Sequence, residues 1–193
     1  MLSKRQKHSQ PKENTRSITY RLPGKIIDEL ETEATMRGIS QNVLVKQIFE
    51  KYISWDRYSN KIGMIPVPKR IVSSLGENLD ALEINEIIDI IFPLIKDSVM
   101  FMKGGFDLKR VIETLEDYMR ATGMNSDHRV EGDSHIFLIQ HELGMSWSVF
   151  TQQLLTQVFG SFVPDKKLEF QTTESTVILN INLGSEFNEH EFN

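Results

Sequence analysis

The stretch that decides the reading is Ser17-Ile18-Thr19-Tyr20-Arg21-Leu22-Pro23-Gly24. Polar and apolar side chains alternate over its first six positions, several of them β-branched or aromatic. This is the period-2 pattern of a strand with one buried face, and Pro23-Gly24 ends it. The period then switches. Ile26, Ile27, Leu30 and Ala34 share one face of a helix, with Asp28, Glu29, Glu31 and Glu33 mostly turned away. Gly38 is a helix stop and Ser40 an N-cap for a second helix. Its stripe of Leu44, Val45, Ile48, Phe49, Tyr52 and Ile53 runs to Trp55. Residues 16–55 therefore read as strand, helix, turn, helix.

One six-residue strand cannot bury two apolar helix faces, and a segment this short needs a staple or a second copy. With no Cys in the chain, there is no disulfide to supply the staple. The simplest solution is a two-fold dimer in which the strands pair antiparallel. Ile18, Tyr20 and Leu22 then cover the helices. Ser17, Thr19 and Arg21 of both copies form the outer face of a two-stranded ribbon, an element that fits the major groove of B-DNA.

Charge agrees with a polyanionic partner. The 193-residue chain carries a net −5, but residues 1–61 are +5 and the remainder is −10. The first 21 residues alone hold Lys4, Arg5, Lys7, Lys12, Arg16 and Arg21 against Glu13. Such asymmetry points to one half that meets a polyanion, the alternative being a merely solvated basic tail. Residues 1–15 have almost nothing to bury and are expected to be a disordered basic arm lying beside a duplex.

Residues 16–54 resemble the ribbon-helix-helix DNA-binding family of the Arc and MetJ repressors. The resemblance lies in the alternating strand, Leu22-Pro23 at the entry to the first helix, Gly38-Ile39-Ser40 between the helices, and Val43-Leu44 at the start of the second stripe. It implies base contacts from Ser17, Thr19 and Arg21, and a phosphate clamp at the backbone N–H groups of Gln41 and Asn42 beside Ser40. The physics is compatible. The Arg21 fork suits guanine O6 and N7, Thr19 suits a thymine methyl, and a helix N-terminus favours an anion. Arg16 and the arm residues Lys4, Arg5, Lys7 and Lys12 would add salt-sensitive phosphate contacts.

The rest of the chain reads as a separate α+β region. Residues 56–68, with Gly63, Pro66 and Pro68, look like a linker. Residues 69–97 look helical, broken near Gly76 and Pro93, and the apolar run 99–102 looks like a short strand. Asp107 caps a helix to about residue 122, with Leu108, Val111, Ile112, Leu115 and Met119 on its inner face. A hairpin is expected over 128–131 and 135–141, then a helix capped by Ser146 with Val149, Phe150, Leu154, Val158 and Phe159 inward. A closing hairpin over 168–170 and 176–181 follows, and an acidic tail from 184. Strand, helix, strand, strand, helix, strand is the order of a ferredoxin-like α/β sandwich. The domain over 69–183 would serve effector binding or oligomerisation.

The chemistry-bearing residues of this region are sparse. His135 and His141 are too far apart along a strand to share an ion, leaving His135 with His128 across the turn, or with another chain, as the metal pair to consider. Surface or hydrogen-bonded histidines are the plainer reading. His141-Glu142-Leu143-Gly144-Met145 lacks the second His of a zinc-protease helix. No nucleophile, base and orienting acid assemble, and no cofactor is implied. Trp147, Phe150, Phe159 and Phe162 either line an apolar pocket or belong to the core.

No run of about 18 apolar residues predicts a membrane span, and the basic N-terminus lacks a secretory h-region. The expectation is a cytoplasmic, nucleoid-associated transcriptional regulator, not an enzyme. It would bind operator DNA as a homodimer, with tetramers also open, and act as a repressor or under a small-molecule effector. The alternatives are an antitoxin-like protein, or a ligand- or metal-sensing protein whose output is a protein contact.

Overall fold

Helix periodicity and capping signals account for most of the elements in the computed structural model, which describes residues 16–184. Two compact units divide the chain, Met1–Lys46 and Gln47–Asn193, with the boundary inside the second helix.

In the first unit, helix α1 spans Gly24–Met36 and helix α2 begins at Gln41 and runs to Lys51. Gly38, at φ 66°, ends α1 in a Schellman turn: Gly38 N–H donates to Thr35 C=O and Ile39 N–H to Ala34 C=O. Ser40 then opens α2 as expected. Its hydroxyl accepts from Val43 N–H at 3.3 Å, and its carbonyl accepts the first helical bond from Leu44 N–H. Among the described residues of this unit only Ala34 and Leu44 are buried.

The second unit continues the helix through a π turn, Tyr52–Asp56, and a short helix α3, Arg57–Ser59. Helices α4 (Lys69–Gly76), α5 (Ala81–Lys103) and α6 (Leu108–Thr122) follow. Strands β1 (Asn125–Glu131) and β2 (Ser134–Gln140), helix α7 (Met145–Phe162) and strands β3 (Leu168–Thr172) and β4 (Thr176–Asn182) complete it. The four strands form one antiparallel sheet in the order β1-β2-β4-β3. Phe137 and Ile139 of β2 and Val177, Leu179 and Ile181 of β4 are buried on one face. Of these, Phe137, Ile139, Leu179 and Ile181 pack in one core with Val111 and Ile112 of α6, Leu154, Val158 and Phe159 of α7 and Ile84, Ile88 and Val99 of α5.

The architecture is α+β, but the expected strand over 99–102 is part of α5. Val99 and Met102 are buried while Met100 and Phe101 are exposed, a helical two-in, two-out pattern instead of alternation. With that strand gone, the sheet region reads strand, strand, helix, strand, strand, and not the ferredoxin-like order.

Pro93 does not break α5 either. It removes one N–H, at a cost of about 3 kcal/mol in a helix interior. The helix is held on both sides of it. An Asp80–Glu83 capping box closes the N-terminus and Gly104, at φ 73°, closes the C-terminus, while the core takes up Ile84 and Ile88 before the proline and Val99 and Met102 after it. Gly76 does end α4.

Asp107 caps α6 as expected, accepting from Arg110 N–H. Leu108, Val111, Ile112 and Met119 are buried on its inner face, with Leu115 packed against them. Helix α7 starts differently from the reading. Its N-cap is Gly144, at φ 86°, and Ser146 lies inside the first turn. Residues 141–144 are not helical.

Candidate nucleic-acid interface and ligand cavity

Residues 16–23, upstream of α1, carry no strand in the single chain. The expected strand is a correction to that extent, and the reason is physical: a strand is defined by its ladder to a neighbour, and the expected neighbour is a second copy. Ile18, Tyr20 and Leu22 are 71%, 57% and 46% exposed, and Ile26, Ile27, Val43, Ile48 and Phe49 are exposed along α1 and α2. An apolar set of this size on one short segment exceeds the scattered single residues of an ordinary surface. Ser17, Thr19 and Arg21, on the opposite parity, are exposed as well, as is Arg16.

The α2 N-terminus is ordered by its cap. The Gln41 and Asn42 N–H groups precede the first intrahelical bond, so they point outward with the positive end of the helix dipole. Gln41 also reaches back, its side-chain amide 3.4 Å from the Ile27 carbonyl, which ties α2 to the start of α1. Ser40, Gln41 and Asn42 thus sit on one turn. Lys4, Arg5, Lys7 and Lys12 lie outside the described residues, as do the rest of the expected arm and the tail beyond 184.

The three described histidines of the second unit make two contacts. His128 and His135 do meet across the β1–β2 hairpin, Nε2 to Nδ1 at 3.0 Å, and the His128 ring stacks on Phe137 at 4.1 Å. Burial, then the neighbouring His135, pushes the His128 pKa down to about 4 despite the opposing Asp127. The His128 ring is therefore neutral over the physiological range. Among the described residues no group of three or more His, Asp or Glu side chains is placed to hold a metal ion.

The second contact escaped the sequence reading, which found no serine partner for a histidine. Buried His141 has its Nε2 2.9 Å from Ser148 Oγ. Leu143 N–H donates to His141 Nδ1 at 3.2 Å, so the ring proton sits on Nε2 and is donated to Ser148. Ser148 in turn donates to the Thr173 carbonyl at 2.6 Å. The serine proton points away from the imidazole, so the pair is wired as a structural relay and not as base and nucleophile. Burial lowers the His141 pKa, which agrees with a neutral ring. No spacing rule would have found it, because the relay is completed by the β3–β4 turn.

Two cavities lie beside α6 and α7. One, of about 360 Å³, is bounded by α5, α6, α7 and the segment around Gly63. The other, of about 860 Å³, is a wider cleft against residues 64–69, with Asp56, Asn60 and Lys69 on its wall. They share Trp55, Met64, Tyr118 and Trp147. The four aromatics singled out in the sequence thus divide. Trp147 and Phe150 line the smaller cavity with their rings tilted against each other at 4.9 Å, Phe159 is core, and Phe162 packs on Phe106 at 5.0 Å. Trp55 and Tyr118, edge-to-face at 5.5 Å, were not anticipated as lining. Trp55 reaches this wall from the π turn, a wide turn of the kind often found at functional sites.

No protein-family model matches the chain, and no curated protein matches it. Among the described residues, no helix is long and apolar enough to cross a membrane.

Proposed function

We propose that the chain is a sequence-specific DNA-binding regulator that grips operator DNA as a homodimer through a two-stranded ribbon formed by residues 17–22. One observation carries the reading. Ile18, Tyr20 and Leu22 are largely exposed in the lone chain, as are the apolar residues Ile26, Ile27 and Val43 of α1 and α2, and among the described residues of the first unit only Ala34 and Leu44 are buried. Antiparallel pairing with a second copy covers that surface and turns Ser17, Thr19 and Arg21 outward. The capped start of α2 then offers the Gln41 and Asn42 N–H groups to a flanking phosphate. Arg21 supplies guanine readout of about 1–3 kcal/mol, and Arg16 with the basic N-terminal residues supplies the salt-dependent share. The acidic second unit serves assembly and effector binding and discourages contact with the duplex through its own charge.

Selection of bound sequences from a random duplex pool tests this reading. The wild type returns a pseudo-palindromic site. Arg21→Ala returns a pool with relaxed preference at one position per half-site. Retention of no duplex at low salt, or an unchanged preference in Arg21→Ala, overturns the proposal.

A further inference from the structure

We infer that the cavity between α5, α6 and α7 is a binding site for a small, neutral, aromatic or polycyclic molecule carrying an N–H or O–H donor. Its volume of about 360 Å³ lies within the roughly 300–1,000 Å³ of sites that hold small organic ligands. No charged side chain lines it. The wall is aromatic and aliphatic, with Trp55, Tyr118, Trp147 and Phe150 on one side and Leu94 and Ile95 on another. An ion would lose its hydration there without a counter-charge, which excludes charged ligands. Flat apolar surface is what such a wall accepts.

The polar groups select further. Ser98 and Thr114 both line the cavity. The Ser98 hydroxyl proton is given to Leu94 C=O at 2.7 Å and that of Thr114 to Arg110 C=O at 2.7 Å. Each oxygen therefore has only acceptor capacity left, and a bound molecule is matched by an N–H or O–H of its own. The adjoining 860 Å³ cleft shares Trp55, Met64, Tyr118 and Trp147 with the cavity and carries the polar residues Asp56, Asn60 and Lys69. It gives a wet approach to a dry site. Occupancy is a property of the second unit and stands apart from DNA binding by the first.

The chain contains two tryptophans, and both line this cavity and the adjoining cleft, so intrinsic fluorescence reports on this region and Ser98→Phe, which touches the cavity alone, separates the two. The probe is N-phenyl-1-naphthylamine, a neutral aryl amine with a single N–H, titrated into the full-length protein. The expected result is saturable binding of one probe per chain, with energy transfer from both tryptophans seen separately in Trp55→Phe and Trp147→Phe. Ser98→Phe fills the cavity and weakens binding by about ten-fold or more. Leu75→Ser, on the exposed surface of α4 away from the lining, leaves binding unchanged. Non-saturable uptake overturns the inference, as does wild-type affinity in a folded Ser98→Phe variant. If Ser98→Phe loses the wild-type circular dichroism spectrum, the single-tryptophan pair decides: transfer from only one tryptophan, or from neither, places the probe elsewhere.

Discussion

His128 Nε2 lies 3.0 Å from His135 Nδ1 across the β1–β2 hairpin, on the sheet face that carries Phe137 into the core. The contact holds only while at least one ring is neutral. The unfolded chain titrates near 6.5, the folded His128 near 4. Below 6.5 the unfolded state therefore binds the extra proton, and stability falls as pH drops towards 4. Allowing for the partial exposure of the ring, the loss is on the order of 2 kcal/mol. Urea unfolding at pH 7 and pH 4.5 measures it. His128→Gln has a smaller difference between the two, the remainder reflecting His141 and the carboxylates.

Ser148→Ala breaks the relay from His141 to Thr173 and leaves a buried imidazole N–H and a carbonyl without their partner. The expected cost is about 1–3 kcal/mol. Chemical denaturation reads it out, and an unchanged midpoint would show that water replaces the hydroxyl.

Gly144 holds φ 86° at the start of α7 with open space where a Cβ would stand. Gly144→Ala therefore carries backbone strain without a clash, a loss of about 1–3 kcal/mol. A melting temperature unchanged from wild type would contradict the assignment of Gly144 as the N-cap.

Ser40 has two separable duties under the DNA proposal, helix cap and neighbour of a phosphate. Asp caps as well as Ser but repels an anion. Ser40→Asp should keep the wild-type unfolding midpoint while weakening duplex binding, and Ser40→Ala should lose about 1 kcal/mol of stability. Equal duplex affinity in Ser40→Asp would remove the α2 N-terminus from the interface.

Ile18→Asp places a charge in the proposed ribbon. Hydrogen exchange at residues 17–22 is expected to be slow in the wild type at high concentration and fast in this variant, with the circular dichroism of the second unit retained. Fast exchange in both would leave those residues without a ladder.

Periodicity and capping residues determine much of this protein locally. Asp107, Gly38 and Ser40 act within one helical turn of their own position, and the inward stripes of α6 and α7 follow from side-chain spacing, so both are legible locally. The two hairpins were legible because their turns and alternating strands are contiguous. Where a short apolar run suits either period, as at 99–102, the core decided, since burying Val99 and Met102 on one face of α5 requires a helix. The same burial carries α5 through Pro93. The His141–Ser148–Thr173 relay and the meeting of Trp55 with Tyr118 join residues distant in the chain, and only folding brings them within contact distance. The alternation over residues 17–22 is legible in the sequence, but a strand exists only when another backbone lies alongside it, and under the DNA proposal that neighbour is a second copy.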